Sequence, residues 1–314
     1  MNSSAKKSFN LAIAWNWEFD SDFIEGIERE CAVLGISTYR IDAYQLPQVL
    51  KSLKQGELSF QAFYDRAADA DPEFLPLVKL MEERATCLIN PYHRVVHAVD
   101  KATMHLEFIT NGLFVPNTII LPPYNEQRSL SLTDEELKHI GIPFVIKPAN
   151  TTGGGTGVKI NATLLQDVIL ARQEHKNDKY FVQEFITPKL LDAKRAWFRV
   201  YFAMGTIILC WWDDKTHRYT ELTAEEEICY QLQRLRSTIE TIHRICGLDF
   251  FSSEIAITEN GKFVVVDYVN EVCDMRLQSK YFNGAPDTVV HKIEQLIAEH
   301  VKSHLCQKNG NNLS

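Results

Sequence analysis

Short apolar runs alternate with amphipathic segments over the first ninety or so residues of the chain. Residues 9–15 are apolar and bounded by polar residues, which predicts a buried strand. The apolar residues that follow recur at helical spacing as far as Leu34, and Gly35 stands where a helix would end. Because this alternation continues, we expect residues 9–91 to form an open parallel sheet with helices on its faces.

Two hairpins are predicted in the second half of the chain. Residues 197–204 and 206–212 read as antiparallel strands, and so do residues 252–258 and 262–267. The second pair is joined across Asn260-Gly261, and Asn-Gly is a strong hairpin signal.

The other predicted elements follow from the same periodicities. Strands are expected at 36–41, 58–64, 87–90, 117–121, 143–147 and 181–186, and helices at 46–53, 72–84, 100–111, 163–172, 225–246 and 287–305. A further short helix begins at Thr133, which forms a capping-box pair with Glu136. The polar residues 307–314 predict a disordered tail.

Composition and charge then limit the classes of function. The chain has 314 residues, of which 45% are apolar and 24% charged, as in a soluble globular protein with a sizeable core. Its formal net charge of −8 gives no support to a nucleic-acid or membrane partner. Seven scattered cysteines without a CxxC pair favour free thiols in a reducing, cytoplasmic compartment over disulfides or zinc sites.

The glycine-rich stretch at residues 148–158 is the most informative part of the sequence. Four glycines and three threonines lie between two predicted strands, and Lys147 is near the end of the first strand. A loop with little side-chain bulk can turn its backbone N–H groups toward an anion, and a lysine adds a point charge for phosphate. No GK[ST] follows, so this is not a Walker loop. A flexible hairpin tip is the alternative for the stretch taken alone.

Oxygen-bearing side chains cluster in the second hairpin. Glu254 lies in one strand, and Asp267 and Asn270 lie at the end of its partner. Because Mg²⁺ prefers oxygen ligands and takes few of them from a protein, these residues predict a magnesium site. Solvated acids at strand ends would give the same pattern.

Two weaker signals precede this hairpin. Lys101 follows Asp100 at a predicted helix start, and Gln183-Glu184 interrupts an otherwise apolar strand. Such a strand offers backbone and carboxylate groups to an adenine edge. A solvated lysine and a strand with one polar face explain the two signals equally well in isolation.

The order of these signals is more specific than any one of them. The series along the chain is Lys101, Lys147 with its glycine loop, Glu184, Arg199, Glu254, Asp267 and Asn270. In this order the sequence resembles the ATP-grasp superfamily over about residues 90–275, and especially its group of ribosomal-protein glutamate ligase, glutathione synthetase and D-alanine–D-alanine ligase. The resemblance implies an ATP-grasp fold of α/β and α+β class. An N-terminal open parallel sheet domain would be followed by two α+β subdomains, at 92–186 and 187–306, that enclose ATP.

The resemblance also implies roles at the phosphate end of ATP. Lys101 and Lys147 would contact phosphates, and Arg199 would face the γ-phosphate and the acceptor, so Lys147 and Arg199 are the expected catalytic residues. The loop expected to close over the triphosphate consists of Thr151, Thr152, Gly153, Gly154, Gly155, Thr156 and Gly157.

Further roles concern the base and the metal. Glu184 would accept from the adenine amino group, the backbone near Phe185 and Ile186 would bond the ring, and Val266 would pack against it. One or two Mg²⁺ ions would be held by Glu254, Asp267 and Asn270.

Two departures from the family pattern are visible. The usual Glu-x-Asn ending is replaced by Asp267-Tyr268-Val269-Asn270, and the extra residue requires a β-bulge if both side chains are to reach one metal. An acid for the ribose hydroxyls is expected soon after residue 186, but five residues intervene before Asp192, so that role is unassigned.

The function implied by the resemblance is an ATP-dependent ligase. It would activate a small-molecule or peptide carboxylate as an acyl phosphate for attack by an amine; a kinase acting on a small-molecule hydroxyl and a non-catalytic ATP-binding module are the alternatives. Lys215, Arg218 and Arg276 are candidates to hold a substrate carboxylate, although an ordinary polar loop would also explain the first two. A homo-oligomer is left open.

Overall fold

A computed structural model describes residues 6–85, 87–151 and 155–311 of the chain. Three residues of the expected phosphate loop, Thr152, Gly153 and Gly154, lie outside these ranges, and so do residues 312–314. Within the described part of the chain, no helix combines the length and the apolar character needed to cross a membrane.

The first sheet confirms the predicted parallel arrangement. Its elements are β1 (Lys7–Trp15), α1 (Ser21–Val33), β2 (Thr38–Ile41), α2 (Leu46–Gln55), β3 (Leu58–Arg66), α3 (Leu75–Arg84) and β4 (Cys87–Ile89). The strand order is β2-β1-β3-β4, and every pairing is parallel. Leu11 and Ile13 face one core, with α1, whereas Ala12 and Ala14 face the other, with α2 and α3. Both faces of β1 are therefore buried, which explains its unbroken apolar run.

Two helices lead into the second sheet, and the first of them was not predicted. These are α4 (Tyr92–Val99) and α5 (Lys101–Thr110), and Asp100 between them caps α5 by accepting from the N–H of Ala102 at 3.0 Å. The second sheet consists of β5 (Thr118–Leu121), β6 (Phe144–Pro148), β7 (Lys159–Ala162) and β8 (Tyr180–Glu184). The helices α6 (Asp134–Ile140) and α7 (Leu165–Ala171) lie between these strands in the chain. Its order is β5-β8-β6-β7 and all of its pairings are antiparallel. The predicted capping box of Thr133 and Glu136 is present at α6.

One face of this second sheet is covered by α6 and α7. Phe144 and Ile146 of β6 lie in the core that these helices close. Because side chains alternate along a strand, Lys147 projects from the opposite face. There its Nζ donates to the backbone oxygen of Val266, at 3.2 Å.

The third sheet holds the two predicted hairpins. It consists of β11 (Trp197–Ala203), β12 (Thr206–Trp212), β13 (Tyr219–Glu221), β14 (Phe250–Ile257) and β15 (Phe263–Asn270). The order is β13-β12-β11-β14-β15, with antiparallel pairing throughout. A short ribbon of β9 (Leu190–Leu191) and β10 (Lys194–Arg195) precedes it.

The prediction of a single helix at residues 225–246 is wrong. The chain forms α8 (Ala224–Cys229) and α9 (Arg234–Cys246) instead, and Gln231 between them has a left-handed backbone with φ of 55°. Leu232, between the two helices, is fully buried in the core beneath the third sheet.

The last helix, α10 (Asp287–Asn311), runs through residues 307–311, where a disordered tail was expected. No proline interrupts this stretch, and its Gln and Lys residues favour helix. Ile293 and Ile297 of α10 are fully buried in a core shared with α1 and with strands of the first and third sheets. The C-terminal helix therefore joins the beginning of the chain to its end.

A buried ion pair fixes the carboxyl edge of the first sheet to the turn after β15. Arg66 donates through Nε and Nη2 to the two oxygens of Asp20, both at 2.7 Å, and through Nη2 to the oxygen of Cys273 at 2.9 Å. Both side chains are at most 1% exposed. Two opposite charges buried this completely are stable only together.

We expect Asp20→Asn to destabilise the protein strongly. The substitution leaves the buried Arg66 guanidinium without its counter-charge, which costs about 3–5 kcal/mol. Asp22→Asn is the matched control: Asp22 pairs with Lys280 on the surface at 2.7 Å, and exposed pairs contribute about 0–1 kcal/mol. Urea denaturation of both variants measures the difference, and equal midpoints would contradict the role of the buried pair.

Candidate active site

The second and third sheets meet where β6 lies against β15. Lys147 is 8% exposed, and its Nζ lies 5.7 Å from the ring centroid of Tyr268 in addition to its bond to Val266. Burial lowers the pKa of Lys147, and Lys101 lowers it further, whereas Asp267 and Glu254 raise it. Lys147 therefore interacts electrostatically with residues of α5, β14 and β15.

Asp267 is the acidic centre of this arrangement. Burial alone would raise the pKa of its carboxyl group, but Lys101, Lys147 and Arg199 hold that pKa below its usual range. The Asn270 amide adds to this effect by donating to Asp267 Oδ2 at 3.0 Å. A carboxylate surrounded by three cationic side chains remains ionised at neutral pH.

Strand register sets the acidic and basic side chains in a row. Arg199 of β11 lies opposite Glu254 of β14, which in turn lies opposite Asp267 of β15. Arg199 Nη2 donates to Glu254 Oε1, and Trp197 Nε1 donates to Glu254 Oε2 at 3.0 Å. Both carboxylate oxygens of Glu254 are therefore engaged by neighbouring side chains of β11.

The bulge predicted from the Asp-x-x-Asn spacing is present in β15. Ser252 pairs with Asn270 and Glu254 with Asp267, so two residue steps on β14 oppose three on β15. A second irregularity follows at once, because Ile255 pairs with Val265. The two bulges on either side of Asp267 bring its carboxylate and the Asn270 amide into contact.

Arg199 carries a donor that the structure leaves without a partner. Its Nε is buried and makes no hydrogen bond to any described residue. The guanidinium lies 5.4 Å from the ring centroid of Trp212, and its side chain is 13% exposed. Burial opposes the charge, but Glu254, two tyrosines and Asp267 keep the pKa of Arg199 above its usual range. A charged donor that is buried without an acceptor is suited to a substrate oxygen.

The expected base-binding residues lie at the end of β8 and in β15. Glu184 Oε2 accepts from the N–H of Asn117 at 3.1 Å, so one carboxylate oxygen already has a donor. Ile186 is 7% exposed and Val266 packs against the same small apolar cluster, whereas Phe185 is 37% exposed. The two aliphatic side chains thus share one apolar surface, as a contact with a flat ring requires.

The glycine loop is anchored by Asp178, which the sequence analysis missed. Asp178 Oδ2 accepts from the N–H of Asn150 and of Thr151, each at 2.9 Å, and from the Thr151 hydroxyl at 2.6 Å. These donors of Thr151 therefore hold the loop's first turn. Asp178 is 7% exposed, but it belongs to no periodic pattern, so only the folded contacts identify it.

At the far side of the loop, the backbone of Gly157 lies close to the side chains of Pro148 and His175. Gly157 has a φ of 72°, and a Cβ atom there would lie 3.1 Å from Pro148 Cγ and 3.2 Å from His175 Nε2. A side chain at this position would therefore be strained, which favours glycine. Gly155 also has a positive φ, of 81°, while Thr156 is exposed.

The three candidates for substrate binding differ in their surroundings: Lys215 and Arg218 are exposed, whereas Arg276 is largely buried. Arg276 is paired with Asp274, which accepts from its Nη2 at 2.6 Å and its Nε at 2.9 Å. Arg218 lies over the Phe282 ring at 5.3 Å, and Lys215 is exposed in a turn that Asp213 caps. None of these contacts joins them to Asp267, so their substrate role stays a prediction.

Asp192 has a partner that was not expected. It accepts a hydrogen bond from the Tyr230 hydroxyl, and the pair raises the pKa of that tyrosine to about 12. The acid lies on the ribbon between β9 and β10, and its residue has a φ of 51°. The ribose-binding role therefore remains without a residue.

A second buried network lies beside the site, at the turn that follows β15. Asn90 Nδ2 donates to Glu271 Oε1 at 3.0 Å and to the oxygen of Phe250 at 2.6 Å. Burial raises the pKa of Glu271 to about 8, and Asp65 and Asp69 contribute, although the bond from Asn90 opposes the shift. This network ties the end of β4 to β14 and to the turn after β15, and these are the strands that carry Glu254 and Asp267.

Comparison with known proteins gives structural matches only. No family model matches the sequence, and no curated protein does so either. A RimK domain protein ATP-grasp from Sphaerobacter thermophilus is 20% identical, with a TM-score of 0.65 over 93% of this chain and 98% of that chain. A D-alanine–D-alanine ligase from Bacillus anthracis, complexed with ATP, is 13% identical, with a TM-score of 0.65 over 93% and 96%.

A third match is a macrocyclase, MdnC, bound with the precursor peptide MdnA from Microcystis aeruginosa. It is 12% identical, with a TM-score of 0.62 over 92% of this chain and 99% of that chain. At these identities the similarity shows the fold, which is the ATP-grasp fold. The fold class that the sequence resemblance implied is thereby confirmed.

The environment of Asp267 predicts a pH dependence of stability. Its folded-state pKa lies below the unfolded value of about 3.9, so its contribution is complete above that value and is lost as pH falls through the folded pKa. Asp267→Asn removes this contribution at every pH. We therefore expect the variant to be less stable than wild type at pH 7 and the gap to narrow below about pH 4.

Urea midpoints measured between pH 7 and about pH 3 provide the test. For a single titrating group, the difference in the free energy of unfolding between wild type and Asp267→Asn can narrow by at most about 1.4 kcal/mol per pH unit. Glu259→Gln, at an exposed position in the β14–β15 turn, is the control, and its curve should run parallel to that of wild type. If the urea midpoints of Asp267→Asn also ran parallel to those of wild type across this pH range, the proposed effect of the surrounding cations on Asp267 would be contradicted.

Proposed function

We propose that the chain is an Mg-ATP-dependent ligase that activates a small-molecule or peptide carboxylate as an acyl phosphate for attack by an amine. The observation that carries the proposal is the convergence of Lys101, Lys147 and Arg199 on Asp267 and Glu254. The ATP-grasp fold supports it, and so do the two neighbours described as a D-alanine–D-alanine ligase with ATP and as a peptide-bound macrocyclase. A peptide substrate is therefore as compatible with the fold as a small acid.

Phosphoryl transfer requires positioning and cations more than covalent chemistry from the protein. Lys101 and Lys147 lie close enough to Asp267 to shift its pKa, so both ammonium groups can meet the same polyphosphate. Lys147 extends from the strand that enters the glycine loop, and the backbone amides of that loop would add donors. The carboxylate oxygens of Glu254 and Asp267, with the Asn270 amide, fit the hard oxygen ligands of Mg²⁺, which would neutralise charge on the transferring phosphoryl group.

The acceptor would lie on the Arg199 side of the phosphates. The buried Arg199 Nε has no acceptor among the described residues, so a carboxylate or acyl-phosphate oxygen placed there gains a charge-assisted hydrogen bond. Trp212 covers one side of the guanidinium and limits access of water to it. The adenine would lie toward Glu184, Ile186 and Val266.

Hydroxylamine trapping tests the reaction class. Purified protein is incubated with Mg-ATP, hydroxylamine and pools of amino acids, small carboxylic acids and peptides, and hydroxamate and phosphate are measured. A ligase of this kind forms hydroxamate and phosphate in equal amounts, because hydroxylamine replaces the amine. ATP consumption with phosphate transferred to a hydroxyl would show a kinase, and nucleotide binding without turnover across all pools would show a non-catalytic module.

Lys147→Met tests the phosphate site. The apolar stem is kept, so the fold is retained. The positive charge that would stabilise the transferring phosphoryl group is lost, and we therefore expect kcat/KM for ATP to fall by about 10²–10³. Lys159→Met is the matched control. Lys159 begins the strand on the other side of the loop and pairs with Glu174 at 2.8 Å, so it should change turnover less than about twofold. Unchanged turnover in Lys147→Met would remove the basis of the proposal.

A further inference from the structure

Three metal-binding side chains converge at a place that the proposed active site does not use. Cys87 begins β4, and His300 and His304 lie four residues apart on α10. One ligand atom from each of the three lies within 4.8 Å of the ligand atoms of the other two. The cluster shares no residue with the region around Lys147 and Asp267.

Helix geometry brings the two histidines together. Side chains four residues apart lie on the same helical face, and these two rings have centroids 4.4 Å apart. His304 Nδ1 lies 3.0 Å from the backbone oxygen of His300. If Nδ1 carries the proton in this bond, Nε2 presents a lone pair, which is the usual arrangement of a metal-binding histidine.

The Cys87 thiol is buried beside the two histidines. It is 4% exposed, and its Sγ makes no hydrogen bond to any described residue. A buried thiol that faces two imidazoles without bonding to either is placed as a ligand would be. Close packing alone does not require three potential ligand atoms to lie within 4.8 Å of one another.

The electrostatic surroundings favour a cation. The carboxylate of Asp249 lies close enough to Cys87 and to His300 to act electrostatically on both, and it makes no hydrogen bond or ion pair within the described ranges. One thiolate and one nearby carboxylate balance a dication, which reduces the cost of holding it in a half-buried site.

We propose that Cys87, His300 and His304 bind one divalent transition metal ion of the zinc class, with a fourth position open to water. A thiolate with two imidazoles is a borderline-soft ligand set that suits Zn²⁺ and does not suit Mg²⁺. The ion links the start of β4 to the C-terminal part of α10. The sequence analysis favoured free thiols over zinc, because the cysteines are scattered and form no CxxC pair; more than 200 residues separate Cys87 from the two histidines.

Cobalt(II) is the probe for the test, since a bound thiolate gives it a charge-transfer absorption band that oxygen ligands do not. Full-length protein freed of metal with a chelator is titrated with Co²⁺, and Zn²⁺ is then added. We expect one equivalent of Co²⁺ to generate the band and Zn²⁺ to remove it. The readout does not depend on ATP turnover, so the result is independent of the proposed function.

Variants locate the ion. Cys87→Ser should abolish the band, and His304→Gln should weaken Co²⁺ binding at least about tenfold. Cys306→Ser, at an exposed cysteine on the same helix, should leave the band intact. Asp267→Asn should leave it intact as well, because that residue belongs to the separate magnesium site.

Two results would overturn the proposal. One is the absence of a charge-transfer band in wild type at a tenfold excess of Co²⁺. The other is a band that persists in Cys87→Ser or disappears in Cys306→Ser. Circular dichroism confirms that each variant is folded; if Cys87→Ser is not, the half-exposed His304→Gln decides the matter, since unchanged affinity in that variant excludes the site.

Discussion

The compensation of buried charge between Asp267 and three cationic side chains is the interaction on which the rest of the site depends. Lys147 and Arg199 would each be costly to bury alone, and so would Asp267. Together they are tolerated because each lies beside an opposite charge. The arrangement requires β6 and β15 to lie near each other, and the bond from Lys147 to the backbone oxygen of Val266 links the two strands.

Local sequence features predicted local structure well. The spacing of Asp267 and Asn270 was enough to predict a β-bulge, because one extra residue in a paired strand has few other solutions. Gly205 and Asn260-Gly261 likewise placed both hairpins. The break at residues 230–233 was not predicted, because the helical periodicity continues through it: Leu232, Leu235 and Ile239 have the spacing of one helical face.

Long-range partners could not be predicted in the same way. Asp178 holds the glycine loop from a position some 27 residues away in the chain, and nothing in its neighbourhood distinguishes it from a solvated acid. Cys87 and His300 are separated by most of the chain and meet only because α10 returns to the first sheet. The order of Lys101, Lys147 and Arg199 was informative because the fold, rather than local sequence, brings them together.

The state of Glu254 has a consequence for the proposed reaction. Its two carboxylate oxygens accept from Arg199 and Trp197, and each oxygen keeps a further lone pair, so Glu254 could hold Mg²⁺ without breaking either bond. Asp267 Oδ2 likewise accepts from the Asn270 amide and keeps a lone pair for a metal ion. Glu254 and Asp267, which lie opposite each other on β14 and β15, would then hold the ion together while Arg199 stays bonded to Glu254. The Arg199 guanidinium would thereby remain close to the metal site, where its charge is needed during phosphoryl transfer.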